Sequence, residues 1–403
     1  MTDAQPHVVF VVENESVPSD RRVWLEACAL RDAGARVTVV GPIGERRDHE
    51  RSVTIDGIAV RRFPLRFATG GLASYAWEYG SALARIGWEL ARLARRCRID
   101  VVHVANPPDV LFLPVVPLKV LAGTKLVFDH HDMVPELFET RFGRRGAAHA
   151  AVRLAERATY RMADLVVATN ESYRSAALER GGKRPDQVVV VRNAPDLDRF
   201  ERVAADPALR GDRRHLAVYV GVIGPQDGVD HALRAVHHYR NVLGRDDLRV
   251  AVVGAGDALA DNRRLAVELG VDDVVDFVGW QDLDGVLRYL SSADVALAPD
   301  PRSPLNDRST MIKMVEYLAL GVPTVSFDLP ESRVTAGDAA VFVPGNDVGA
   351  FATAVAELLD DPARRARLAE AGRARSRGEL AWARASANLV EGYRRIVELP
   401  DTP

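Results

Sequence analysis

Lys313 and Glu316 stand three residues apart in the stretch SPLNDRSTMIKMVEYLALGVPTVSFDLPE, a base and an acid sharing one helical face. A loop that delivers free backbone N–H groups at a helix start is a ready anion site. An acid and a base one turn further in can then hold a sugar hydroxyl and a phosphate. The ordinary meaning of the same spacing is a solvated surface ion pair. A second chemical cluster is LVFDHHDMVPEL (Leu126–Leu137), where Asp129, His130, His131, Asp132 and Glu136 close an apolar run. Two histidines among three carboxylates at a strand's carboxyl end favour a site over a structural role. Arg21 and Arg22 follow ENESVPSD at a helix start, where they either meet an anionic group or form a solvated pair beside an N-cap. Trp280, after Val278-Gly279, either stacks on a nucleobase or covers a sheet edge.

The elements that must position these groups read clearly. Met311, Val315, Leu318 and Ala319 form the apolar face of a short helix, with Asn306, Asp307 and Ser309 as candidate N-caps and Gly321 with Pro323 as its stop. Thr324–Phe327 is the next strand, followed by a second polar loop. In the first half, strands are expected at His7–Glu13, Arg36–Val40, Gly57–Phe63, Val101–Ala105, Lys125–Asp129, Leu165–Thr169 and Val188–Arg192. Helices fall at Asp20–Ala33, capped by Ser19 or Asp20, and at Trp77–Arg96. A polar stretch, Asn193 to His215, follows. The second half repeats the pattern: strands at Leu216–Val220, Arg249–Val253, Val275–Val278, Val295–Ala298 and Val341–Val343, with helices at Val229–Leu243, Leu283–Leu290, 348–372 and 379–397. Valine-rich runs alternating with amphipathic helices mean parallel, doubly wound sheets. The ligand cleft of two such Rossmann-like domains is expected between them, at the carboxyl ends of the strands.

Composition agrees. A chain of 403 residues is too long for one ordinary core, and 47% apolar with 27% charged residues is a globular balance. Two cysteines, Cys28 and Cys97, argue against a disulfide framework and suit a reducing compartment. MTDAQPHVVFVVENES reads as a strand rather than a basic, apolar, cleavable leader, and the longest apolar run, near Val110–Ala122, is broken by Pro114 and Pro117. The net charge of −3 divides into +4 over residues 1–200 and −7 over 201–403, too small an excess to mark a nucleic-acid partner.

In order along the chain, VVVVRNAPDLDRF, YVGVIGPQDGVDHALRA, VAVVGAGD, VDFVGW, DVALAPD and KMVEYLALGVPTVSF resemble the successive signatures of glycosyltransferase family 4, the retaining GT-B sugar transferases. The last is the most specific piece, and the resemblance covers almost the whole chain. It implies an α/β GT-B fold: two Rossmann-like domains facing across a cleft, with an acceptor domain over 1–195 and a linker over 196–215. A donor domain would span 216–376, and a C-terminal helix, 377–403, would cross back to the first domain. It implies a cytoplasmic hexosyl-type transferase whose partners are a nucleotide-diphosphate sugar and a hydroxyl-bearing acceptor, with no metal and no other cofactor. Asp196/Asp198 and Asp282/Asp284 are therefore read as linker and helix-cap residues rather than metal ligands.

Site residues carry over position by position. His131, Lys313 and Glu316 form the expected catalytic set: His131 to position the reacting sugar, Lys313 toward the diphosphate, Glu316 toward the ribose. Gly221, Val222, Gly224, Gly254 and Trp280 line the donor, with the helix start Arg308, Ser309, Thr310, Met311 and Ile312. Arg22, His130 and Asp132 lie on the acceptor side. The chain departs from the family in three places. Val222 and Asp227 stand where an Arg and a Lys normally touch the diphosphate. Arg308 stands eight positions before Glu316, where the family has another glutamate. The first loop carries Pro18-Ser19-Asp20 in place of a glycine pair. Phosphate binding then falls on Lys313, Arg308 or Arg302, and the Gly221–Gly224 amides. Two alternatives remain open: a non-catalytic nucleotide-sugar-binding or partner protein, and a sugar-nucleotide epimerase. Trp77, Ile86, Trp88, Leu90 and Leu93 with Arg85, Arg92, Arg95 and Arg96 form either a packed helix or a basic amphipathic one at the inner face of a membrane, and Arg141–Arg161 is also basic.

Overall fold

The computed structural model describes residues 5–44, 48–68, 71–142, 146–194, 197 and 200–400. The chain divides into two compact units, one of residues 1–192 with 385–403, the other of residues 193–384.

The first unit holds strands β1 (His7–Val11), β2 (Arg36–Pro42), β3 (Ser52–Ile55), β4 (Ile58–Phe63), β5 (Val101–Ala105), β6 (Lys125–His130), β7 (Leu165–Ala168) and β8 (Val188–Val190). They are ordered β3-β4-β2-β1-β5-β6-β7-β8, with every pairing parallel except β3–β4. Helices α1 (Arg21–Asp32), α2 (Leu72–Ala94), α3 (Val116–Ala122), α4 (Val134–Phe142), α5 (Ala147–Met162) and α6 (Glu171–Glu179) connect them. Strand order reverses between β1 and β5, the crevice where open α/β sheets place their ligands. Asp20 caps α1 by accepting from the Val23 amide at 3.1 Å, one of the two caps expected. The hairpin partner β3 is absent from the sequence reading. Its turn, Asp56-Gly57, takes positive φ at both residues (49° and 79°), the two-residue turn that matches strand twist.

The second unit is a six-stranded, fully parallel sheet of β9 (His215–Val220), β10 (Leu248–Val253), β11 (Val275–Gly279), β12 (Val295–Ala298), β13 (Thr324–Phe327) and β14 (Val341–Val343). The order is β11-β10-β9-β12-β13-β14, so the switch point lies between β9 and β12. Around it are α7 (Val229–Asn241), α8 (Leu259–Leu269), α9 (Leu283–Ser292), α10 (Ile312–Leu320), α11 (Pro330–Ala336), α12 (Val348–Asp360) and α13 (Pro362–Arg377). The two doubly wound parallel α/β units match the expected fold class. Helix α8 was not anticipated, and the loop expected after β13 turns into α11 at Pro330, a residue preorganised for a first helical turn. The last helix, α14 (Trp382–Arg394), contributes Tyr393 to the first unit, where its hydroxyl meets His103 Nδ1 at 2.7 Å.

Part of the polar stretch before β9 packs against α9. The Val203 and Asp206 amides donate to the Ser291 and Ser292 hydroxyls at 3.0 and 2.8 Å, and Pro207–Arg210 forms a 3₁₀ turn. Asp196 and Asp198 lie outside the described residues. Asp282 is the N-cap of α9, accepting from the Gly285 amide at 3.0 Å.

Candidate functional site

In the second unit the strand ends at the switch point are paved with glycine. Gly221 (φ 153°), Gly254 (φ 150°) and Gly279 (φ 83°) end β9, β10 and β11 side by side. The Gly221 amide donates to Val253 and the Gly254 amide to Gly279. A Cβ on Gly254 would fall 1.8 Å from the Gly221 carbonyl, and one on Gly221 would meet the Lys313 side chain at 3.1 Å. Only glycine lets these backbones and Lys313 share the space.

Lys313 is not the surface residue its spacing suggests. Its side chain is 7% exposed, packs with its ammonium 5.0 Å from the Tyr219 ring, and donates to Asp300 at 2.5 Å. Asp227 lies 3.7 Å away. Burial opposes the charge on Lys313, yet Asp300 and Asp227 outweigh it and hold the group above the usual lysine range. Burial likewise pushes Asp227 up to about 6. One ammonium therefore faces two carboxylates, and the Asp300 Oδ2 has no hydrogen-bond partner. The surface pair with Glu316 does not form.

Glu316 is half-buried and accepts no hydrogen bond from any described residue. Burial pushes it up to about 7, with Lys313 pulling the other way. It lies one turn into α10, whose N-cap is Met311 with no side-chain hydrogen bond. None of Asn306, Asp307 and Ser309 caps the helix: the Ser309 hydroxyl donates to the Leu305 carbonyl at 2.9 Å. Asn306 donates to the Gln226 and Pro301 carbonyls, each at 2.8 Å, pinning this loop to the one after β9. The first turn of α10 thus receives no side-chain cap from its N-cap residue. Arg308, Thr310, Met311 and exposed Ile312 lead into the same turn.

The Gly221–Gly224 amides do not serve as expected. Gly221 donates to Val253 and Ile223 to Ala255, both at 3.0 Å, while Gly224 donates to Asp227 at 3.0 Å. Among the described residues the Val222 amide has no partner, and the Val222 side chain is exposed. Trp280 follows β11 and is 47% exposed. The sequence reading missed Asp300 as a partner of Lys313, although a carboxylate closing the apolar run VALAPD was its visible signal. It also missed Tyr317, whose hydroxyl accepts from the Val220 amide at 2.9 Å and fastens α10 to β9.

The first unit carries a separate buried charge network. Arg22 donates to both Asp129 oxygens at 2.7 to 3.2 Å and to the Val191 carbonyl at 2.9 Å, and lies 3.0 Å from Glu26. It is neither solvated nor free to meet an acceptor, which corrects both readings of this arginine. Burial opposes ionisation of Asp129, but Arg22 and His131 outweigh it and hold the group well below the usual carboxylate range. Burial pushes Glu26 up to about 8. His103 bridges Tyr393 and Glu26, its Nε2 lying 3.3 Å from Glu26.

The two adjacent histidines have opposite fates. His130 is buried among Phe128, Tyr160 and Tyr173, with Nδ1 2.8 Å from the Tyr160 hydroxyl. Burial drives it down to about 3, so it is a neutral packing residue and not an acceptor ligand. His131 is partly exposed, with Nδ1 3.4 Å from Asp129. Burial disfavours its charge, yet Asp129 overrides this and lifts it to about 9. Asn106 Oδ1 accepts from the His131 and Asp132 amides at 2.9 and 3.1 Å, fixing the turn that presents both. Glu26, His103 and Asp129 have ligand atoms within 4.8 Å of one another, the spacing of a metal site. A cation there would have to displace the Arg22 guanidinium, so the residues present do not fit one.

Comparison with known proteins finds two family descriptions: "Glycosyl transferase 4-like domain" over residues 19–194 and "Glycosyl transferases group 1" over 214–361. A D-inositol 3-phosphate glycosyltransferase of Catenulispora acidiphila is 31% identical over 249 residues, 59% of this chain and 57% of that one, so the chain matches little more than half of that relative. Glycogen synthase of Mycobacterium tuberculosis is 28% identical over 391 residues, 93% of this chain and 90% of that one. Among solved structures, sucrose-phosphate synthase from Thermosynechococcus elongatus superposes with a TM-score of 0.76 at 20% identity, covering 98% of this chain and 99% of that one. HepE of Anabaena in complex with UDP and glucose gives 0.73 at 13%, covering 97% and 100%.

Proposed function

Since the chain belongs to glycosyltransferase family 4, we propose that it is a retaining, metal-independent enzyme moving a sugar from a nucleotide-diphosphate donor to a hydroxyl-bearing acceptor. Membership makes it a glycosyltransferase that uses a nucleotide sugar; stereochemistry, metal independence and acceptor are our reading. The observation that carries it is Glu316, a carboxylate without a hydrogen-bond partner, one turn inside the uncapped start of α10. A ribose offers two hydroxyl donors to that carboxylate. The α10 amides and helix dipole then stand where the diphosphate collects charge as the glycosidic bond breaks. Lys313 has three N–H donors and gives one of them to Asp300, so it can lend another to the leaving phosphate. Trp280 offers a face for the base.

On the first unit, His131 enters as an imidazolium at neutral pH. It orients a hydroxyl by donation and is not a base; the departing phosphate takes the acceptor proton. Neither step calls for a metal, and activity should survive chelation. Loss of turnover in chelator, restored by a divalent cation, would overturn that part.

Glu316→Gln should weaken nucleotide-diphosphate binding about tenfold to a hundredfold, the value of charge-assisted hydrogen bonds, with the circular dichroism spectrum unchanged. Donor affinity in the unsubstituted protein should fall as pH drops through about 7, where Glu316 takes up a proton, and the substitution should flatten that dependence. Equal affinities measured by calorimetry would reject this placement of the ribose. A thermal-shift panel of UDP-, GDP-, ADP- and TDP-sugars identifies the donor. The surplus of carboxylates around Lys313 favours one rival, a nucleotide-sugar binder without turnover; tight binding with no transfer or hydrolysis across the panel would select it.

A further inference from the structure

Away from both clusters, the first unit carries a groove of about 670 Å³ between α2 and the β3–β4 hairpin. Its charged wall is Arg51, Arg61, Arg85 and Arg92 against the single acid Glu89; Arg62 is turned inward, its guanidinium spent on the Val17 and Glu50 carbonyls and Asp48. Arg51 and Arg85 are exposed, and their guanidinium groups have no hydrogen-bond or ion-pair partner among the described residues. Glu89 is shared between Arg61 at 4.0 Å and Arg92 at 3.7 Å. Beside this wall stand Trp77 and Trp88, 71% and 64% exposed.

The helix that carries them is sorted by face. Ala82, Ile86, Leu90 and Leu93 are buried in the unit's core, so packing explains the inner side. The outer side exposes Ala73, Ala76, Trp77, Gly80, Ala84, Arg85, Trp88 and Arg92. Trp77 and Trp88, eleven residues apart, project from nearly the same side about 16 Å apart. The other acid of α2, Glu78, is buried and accepts from the Ala68 amide at 2.7 Å. Two exposed indoles separated by small apolar residues, with unpaired arginines alongside, do not lower the free energy of an isolated soluble unit.

We propose that this face of α2 and its arginine groove dock the protein peripherally on an anionic lipid surface. Lipid phosphates would enter the groove against Arg51, Arg61, Arg85 and Arg92, while Trp77 and Trp88 seat at the headgroup boundary. Charge complementarity selects an anionic surface. The apolar strip of small residues between the indoles selects a lipid boundary over a soluble polyanion, which would meet arginines alone. No helix among the described residues is long and apolar enough to cross a membrane, so the contact is one of surface. It does not rest on the donor site.

The test is co-sedimentation of the full chain with vesicles of phosphatidylcholine alone and with about one-third phosphatidylglycerol. Binding is expected only to the anionic vesicles, and to fall as salt is raised. Arg51→Ala/Arg85→Ala should weaken it about thirtyfold, and Trp77→Ser/Trp88→Ser should weaken it comparably at low salt. All four side chains are exposed, so circular dichroism should be unchanged in both variants. Equal binding to neutral vesicles, undiminished binding by either variant, or binding to dextran sulfate without binding to vesicles would each overturn the proposal.

Discussion

Lys313→Met should lower the stability of the second unit by about 3–5 kcal/mol at pH 8, the cost of stranding a buried charge, or a melting point lower by about 10 °C. The substitution keeps most of the volume under Gly221 but leaves Asp300 and Asp227 facing each other without a cation. The pH dependence has a definite sign. Asp227 already titrates near 6 in the folded protein, above its unfolded value, so folding stability falls as pH rises through the window between them. Without Lys313 the Asp227 carboxyl rises further, since it loses its attraction to the ammonium. The difference from the unsubstituted protein should therefore be smallest near pH 5 and largest above neutrality. Melting curves at the two pH values read it directly. Asp300→Asn added to Lys313→Met should recover much of the loss, because it removes one of the stranded charges. A difference independent of pH would mean that packing against Tyr219, and not the ion pair, holds Lys313. Donor turnover should also collapse in the single variant, and hydrogen exchange in the β9 and β12 peptides should rise with it.

That prediction depends on a partnership the sequence does not display. Asp300 is thirteen residues from Lys313 and Asp227 eighty-six, whereas the pattern visible along the chain pairs Lys313 with Glu316. Hydrophobic periodicity is local, so the parallel strands, the glycine stop of α10 and the Asp20 cap are all readable from neighbours. Ion-pair choice is decided by which groups two distant loops bring together. Burial then enforces it, since a buried ammonium must take whatever carboxylate shares its cavity. The histidines make the same point at the closest range: His130 and His131 are adjacent, yet strand alternation buries one among aromatic rings and leaves the other beside Asp129. The Asp56-Gly57 turn is legible as a dipeptide, but the run before it, SVTI, is too short to mark a strand by itself. The caps expected for α10 failed because Asn306 and Ser309 spend their side chains on loop carbonyls, leaving the helix start open. An open start is a fault for an isolated helix and an asset for an anion site.

Arg22→Met is the counterpart in the first unit and should cost about 3–5 kcal/mol, since the buried Asp129 carboxylate loses the guanidinium that donates to both its oxygens. Asp129→Asn should cost less. Glu26 is held near 8 largely by burial, with the Asp129 charge adding to it; once Asp129 is neutral, Glu26 can ionise and become the counter-ion of Arg22 at 3.0 Å. The two substitutions also part in chemistry. In Asp129→Asn, His131 loses the largest attraction that lifts it to about 9, leaving burial, which lowers it, against Asp132 and Asp20, which raise it. The alkaline limb of the pH–rate profile should then move down from near 9, and turnover at pH 8 should fall by about tenfold or more if the imidazolium donates to a hydroxyl in the transition state. In Arg22→Met, His131 keeps Asp129, so its limb should stay near 9 while the melting point drops. Should both variants shift the limb alike, or neither shift it, His131 is not the group whose charge the reaction uses. The two outcomes follow from one arrangement, a carboxylate shared by a buried arginine and a partly exposed histidine.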